Sequence, residues 1–118
     1  MNKILIIDDD HDFSNDLAAM LSRKFRVHQA QNSRQALRLF KKYQHDLCII
    51  DVNLPAHFSS SPATEGFYLA EKIIMQNSGQ KIIFVSRNLL PKVQIELPAY
   101  SFIKKPFKIQ TLLNMSNA

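Results

Sequence analysis

An α/β fold organised around a doubly wound parallel sheet is what this sequence predicts, and three observations predict it. Short apolar runs rich in β-branched residues recur along the chain: Lys3-Ile4-Leu5-Ile6-Ile7, Leu47-Cys48-Ile49-Ile50 and Lys81-Ile82-Ile83-Phe84-Val85. Continuous apolarity, rather than alternation, marks strands buried on both faces. Segments with helical spacing lie between these runs. Each run also ends on a polar side chain, namely Asp8-Asp9-Asp10, Asp51 and Ser86. The carboxyl ends of such strands open into the crevice where α/β sheets bind ligands.

The elements follow in order. After the first strand, Phe13, Leu17, Met20 and Leu21 fall at i, i+4, i+7 and i+8, one face of a helix that Asp10 or Asp12 could cap. Phe25 to Ala30, with Val27 inside it, is a weaker strand expected at an edge. Ser33 offers the next N-cap, and Ala36, Leu37, Phe40 and Tyr43 form a second apolar stripe. The strand to Asp51 comes next, and Pro55 takes the chain out of the sheet. Residues 56–65 show neither period and read as a long loop closed by Gly66, after which Phe67, Leu69, Ala70, Ile73 and Ile74 form a third helical face.

Beyond Ser86 the pattern weakens. Pro91 and Pro98 leave room for about two helical turns, and Val93, Ile95 and Leu97 alternate at period two. Tyr100-Ser101-Phe102-Ile103 is the last strand, and Pro106 starts a final short element with Ile109, Leu112 and Leu113 on its apolar side. Five strands alternating with helices imply short right-handed crossovers.

Composition sets the limits. A chain of 118 residues is expected to be one domain over 1–118, with no output domain in this chain. Cys48, the lone cysteine, falls inside an apolar strand, so a small buried hydrophobe is its expected role. No stretch approaches the ~20 apolar residues of a membrane span and none resembles a secretory leader. The expectation is a cytoplasmic protein with no membrane contact. Fifteen Lys and Arg against ten Asp and Glu give a charge of +5. The bases read as solvated helix faces, and direct nucleic-acid binding is not expected.

Four of these segments together carry a resemblance. Ile4 to Asp10, Asp51-Val52-Asn53-Leu54-Pro55, Val85-Ser86 and Phe102-Ile103-Lys104-Lys105-Pro106-Phe107 resemble, in this order and each at a strand end, the signature segments of response regulator receiver domains of two-component systems, the CheY-like family. The resemblance covers essentially the whole chain. It implies a flavodoxin-like five-stranded sheet in the order 2-1-3-4-5 with helices on both faces, the fourth and fifth of them shortened here. It also implies a phosphoacceptor domain, not an enzyme, that takes a phosphoryl group from a histidine kinase or phosphotransfer protein onto Asp51 and signals to an unknown downstream protein. Mg2+ is the implied cofactor. By resemblance Asp9 and Asp51 are direct ligands, Asp8 acts through a bound water and Asn53 supplies its main-chain carbonyl. Lys105 would pair with Asp51 or its phosphate, Ser86 would donate to the phosphoryl group, and Ser86 and Phe102 would form the switch.

The residue chemistry agrees with that set, since three acids brought together need cationic compensation and a hard divalent ion supplies it. Three departures from the family pattern stand out. About seven residues are inserted before Gly66; Arg87 replaces a small residue; and Pro98-Ala99 stands where Gly-Ala is common. Arg87 could reach phosphoryl oxygens or point to solvent, and the inserted loop, through Phe58, could cover the site, slowing hydrolysis of an aspartyl-phosphate. His57 could instead orient a water. Two alternatives to a switching receiver are a receiver-like binding module that switches little and a Mg2+-dependent phosphohydrolase.

Overall fold

A computed structural model describes residues 2–87 and 100–116. The chain runs β1 (Lys3–Ile7), α1 (His11–Leu21), β2 (Arg26–Ala30), α2 (Ser33–Tyr43), β3 (Leu47–Asp51), α3 (Pro62–Gln76), β4 (Lys81–Ser86), β5 (Tyr100–Lys104) and α4 (Ile109–Ser116). The five strands form one sheet in the order β2-β1-β3-β4-β5, every pairing parallel. This is the expected doubly wound order, with the weak strand β2 at an edge. The short helix expected between Pro91 and Pro98 lies outside the described residues.

Side-chain alternation divides the core into two layers. Leu5 and Ile7 of β1, Cys48 and Ile50 of β3, and Ile82 and Phe84 of β4 point to the face covered by α2 and α3, where they meet Ala36, Phe40, Phe67, Ala70 and Ile73. Ile4, Ile6, Leu47, Ile49, Ile83 and Val85 point to the other face, against Leu17, Ala18 and Leu21 of α1 and Leu112 of α4. Because both faces are covered, the central strands need apolar residues at every position, which explains their unbroken runs. Truncating Phe40 or Phe84, each fully buried, to Ala is expected to cost about 3–5 kcal/mol. Cys48 is a buried free thiol, as expected.

Helix starts show where local sequence was ambiguous. Asp10 is the cap of α1, its carboxylate accepting from the Phe13 N–H at 3.1 Å. For α2 the cap is Asn32, not Ser33: the Asn32 side chain accepts from the Gln35 N–H at 2.9 Å, and Ser33 is the first helical residue. The third helix also begins earlier than its apolar pattern suggests. Ser61 caps it and Pro62 occupies the first turn, where the absent N–H costs nothing. Residues 62–65 belong to the helix, therefore, and only 52–61 form the connection. The exposed first turn, Pro62 and Ala63, carries no apolar face, so the helix period was invisible there. Met20, placed in the apolar stripe of α1 by its spacing, is 47% exposed.

Candidate phosphoacceptor site

The parallel register brings four strand ends level. Ile7 pairs with Ile50, Asp51 with Val85, and Ser86 with Lys104, so Asp8, Asp51, Ser86 and Lys105 emerge at one edge of the sheet. Backbone bonds extend that alignment: the Asp8 N–H donates to Ala30 O at 3.0 Å, Val52 N–H to Val85 O at 3.1 Å and Lys105 N–H to Ser86 O at 2.8 Å.

Asp8, Asp9 and Asp51 each present a carboxylate oxygen to this cluster, all within 4.8 Å of one another. Asp8 and Asp51 are buried and Asp9 is exposed. Lys105, itself buried, reaches both buried acids, its Nζ lying 2.6 Å from Asp8 Oδ2 and 3.0 Å from Asp51 Oδ2. The other oxygens are held by backbone: Asp10 N–H donates to Asp8 Oδ1 and Asn53 N–H to Asp51 Oδ1, each at 2.9 Å. Burial, then the neighbouring Asp8 charge, push the Asp51 carboxyl up to about 6 even against the opposing pull of Lys105. One ammonium thus serves two carboxylates and leaves their demand for positive charge unmet.

Asn53 and Asp9 line the same cavity, of about 400 Å3, as Asp51 and Lys105. Ser86 is buried at the end of β4. Phe102 lies farther back on β5, half-buried, in register with Phe84 and packed on the α2/α3 side of the core. Sequence patterns had not indicated three contributors. The Phe13 ring sits 4.0 Å beneath Lys105 Nζ, a cation–π contact that helps hold the ammonium in place. Asp10 does more than cap α1, since its Oδ2 receives Arg87 Nη2 at 3.0 Å. Glu65 anchors the connection from β3 to α3.

That anchor replaces the expected covering loop. Glu65 is fully buried and accepts from Ser33 Oγ at 2.5 Å, from the Phe58 N–H at 3.0 Å and from the Ser59 N–H at 2.9 Å. Phe58 does not cover the cavity: it packs on the α2/α3 side of the core with Lys72 Nζ 4.7 Å from its ring centre. Pro55 and Pro62 line the cavity instead, and His57 is exposed. Gly66 holds α3 against the end of β3, its N–H donating to Val52 O at 3.0 Å. A Cβ there would lie 2.3 Å from Asp51 O and 2.8 Å from Val52 Cα, so close approach of backbone to backbone requires glycine.

Comparison with known proteins agrees with this geometry. The response regulator receiver domain family matches residues 4–117, and the chain belongs to that family. It is 32% identical over 117 residues to the sensory transduction protein BceR of Halalkalibacterium halodurans, covering 96% of this chain and 47% of that protein; it spans about half the length of several other curated regulators as well. Among solved structures, the chemotaxis protein CheY4 of Vibrio cholerae superposes with a TM-score of 0.83 at 25% identity, covering 99% of this chain and 97% of that one. The non-phosphorylated HemR receiver domain of Leptospira biflexa gives 0.81 at 27% identity, with 99% and 92% covered. Receiver domains act as phosphoacceptors and signal transducers rather than classical enzymes, partnering histidine kinases or phosphotransfer proteins and downstream effectors. They generally bind Mg2+ at an acidic pocket, and the all-oxygen cluster of Asp8, Asp9 and Asp51 suits that hard cation. Among the described residues no helix is long and apolar enough to cross a membrane.

Proposed function

We propose that this domain accepts a phosphoryl group on Asp51 from a histidine kinase or phosphotransfer protein and signals through altered affinity for a downstream protein. The observation that carries the reading is Lys105 Nζ bridging Asp8 and Asp51, with Asp9 alongside, at the level ends of four strands. In the transfer, a carboxylate oxygen of Asp51 supplies the electron pair for the new O–P bond. The P–N bond of the donor phosphohistidine breaks, its electron pair stays on the imidazole nitrogen, and that ring takes a proton from solvent. Phosphoryl transfer needs positioning and charge stabilisation more than covalent assistance from the protein.

Each residue has a part in this. Asp8, Asp9 and Asp51, with the Asn53 carbonyl, would hold Mg2+, which when bound neutralises charge on the transferred group. Lys105 stays with the Asp51 oxygen it already contacts and steadies the carboxylate as its charge changes. Ser86 donates its hydroxyl to the acquired phosphoryl group, and Phe102 responds by deeper burial of its ring, carrying the change to the β4–β5 side of the domain. Asp51 must be ionised to attack. Its pKa of about 6 is therefore expected to fall when a cation binds.

Incubation with acetyl phosphate and Mg2+, followed by intact mass and by phosphate release, tests the reading. One stably added phosphoryl group per chain is expected, with release no faster than its decay. No addition would leave a binding module that does not use this chemistry, and rapid turnover of phosphomonoesters without accumulation would indicate a hydrolase.

A further inference from the structure

Arg87 follows Ser86 at the end of β4 and extends across the cavity edge to the first cap of α1. Its Nη2 lies 3.0 Å from Asp10 Oδ2, with 71% of the Arg87 side chain and 36% of the Asp10 side chain exposed. Both residues line the cavity that also contains Asp51 and Lys105. Asp10 is fixed, because its other oxygen caps α1 at Phe13 and its N–H is bonded to Asp8. Arg87 is the partner free to move, a long side chain held in water by an exposed ion pair, and such pairs are weak.

Charge gives Arg87 somewhere to go. Lys105 is already shared by Asp8 and Asp51, so an incoming phosphoryl group brings additional negative charge that this ammonium cannot balance. A guanidinium offers parallel N–H donors that match phosphoryl oxygens, and those charge-assisted bonds are stronger than an exposed contact with a carboxylate.

Resting on the reading of Asp51 as phosphoacceptor, we propose that Arg87 is a second phosphoryl-binding cation of this site, parked on Asp10 in the resting domain and transferred to the phosphoryl oxygens once Asp51 carries them. Asp10 then sets the threshold for the transfer, since every contact Arg87 gains with phosphoryl oxygen is offset by the one it gives up.

Beryllofluoride, which mimics a phosphoryl group on a carboxylate, provides the test through 19F NMR titrations at saturating Mg2+. Five proteins are compared: wild type, Arg87→Ala, Arg87→Lys, Asp10→Asn and the Arg87→Ala, Asp10→Asn double variant. Asn preserves the helix cap while removing the charge that holds Arg87. Arg87→Ala is expected to weaken beryllofluoride binding roughly tenfold, Arg87→Lys to recover part of that loss, and Asp10→Asn to tighten binding several-fold. In the Arg87→Ala background, Asp10→Asn should have no further effect. The proposal fails if Arg87→Ala binds as wild type does, if both single variants weaken binding as a purely structural bridge would require, or if Asp10→Asn tightens binding equally with and without Arg87. A wild type that binds no beryllofluoride in the presence of Mg2+ would overturn the reading of Asp51 itself, and this inference with it.

Discussion

Two buried carboxylates sit near the two ends of the connection between β3 and α3; burial pushes both pKa values up, and the donors around each carboxylate decide where it ends. Glu65 is surrounded by donors: the Ser33 hydroxyl and the Phe58 and Ser59 N–H groups. Burial alone would raise its pKa, but the Ser33 hydroxyl and the backbone N–H groups of Ser59, Phe58 and His57 outweigh it and hold the carboxyl at about 2. Asp51 receives one N–H and part of one ammonium, faces Asp8, and is pushed up to about 6. Saturation with donors makes a carboxylate a structural fixture. Leaving it short of positive charge makes it a place where a cation and a phosphoryl group are welcome.

Of the two carboxylates, Glu65 should have the larger effect on stability. Glu65→Ala leaves one buried donor, the Ser33 hydroxyl, and two half-buried ones, the Phe58 and Ser59 N–H groups, without their acceptor, and is expected to destabilise the domain by about 2–4 kcal/mol, measured by urea unfolding, while the fraction that remains folded still takes up label at Asp51. Its pH signature has a definite sign. With a folded pKa of about 2 against an ordinary 4.5, Glu65 contributes fully above pH 4.5 and loses its contribution as the pH falls towards 2. Glu65→Gln should remove that acid limb; an unchanged limb would refute the donor-saturation argument.

Gly66→Ala comes next, because its Cβ would collide with the Asp51 and Val52 backbone. A cost of about 1–3 kcal/mol is expected from overpacking, together with slower labelling, since the displaced strand end carries Asp51, the proposed nucleophile. Loss of stability without any change in labelling rate would show that α3 supports the fold but does not position Asp51.

The smaller effects belong to Asp51. Its raised pKa means that protonation favours the fold below pH 3.8 and that this contribution disappears as the pH rises past about 6. In metal-free protein at neutral pH, Asp51→Asn is therefore expected to stabilise the domain by about 1–2 kcal/mol. Mg2+ should act in the same direction on the wild type, by about 1.4 kcal/mol at ten times its Kd, and much less on the variant. A melting temperature insensitive to millimolar Mg2+ would contradict unmet charge demand at this site.

Much of this was legible in the sequence, for identifiable reasons. Unbroken apolar runs announced buried parallel strands, and polar residues at their ends announced the crevice, because both signals are local. The anchor on Glu65 was not legible. It depends on the path by which residues 57–59 fold back onto α3 and on Ser33 arriving from α2, and no periodicity records either. The same holds for Asp10 and Arg87, far apart in the chain and joined only by the strand register. The start of α3 was missed because a solvent-facing first turn shows no apolar face, and the cap of α2 fell one residue before the expected Ser33 because Asn32 caps a helix as well as a Ser does.

One comparison of labelled proteins bears most directly on Asp51. Wild type and Asp51→Asn are treated with acetyl phosphate and Mg2+, and the product is examined by intact mass and peptide mapping. One phosphoryl group on the peptide containing Asp51, absent from a folded Asp51→Asn protein, is the predicted result. Label that persists in the variant, or that maps to Asp8 or Asp9 in the wild type, would contradict it.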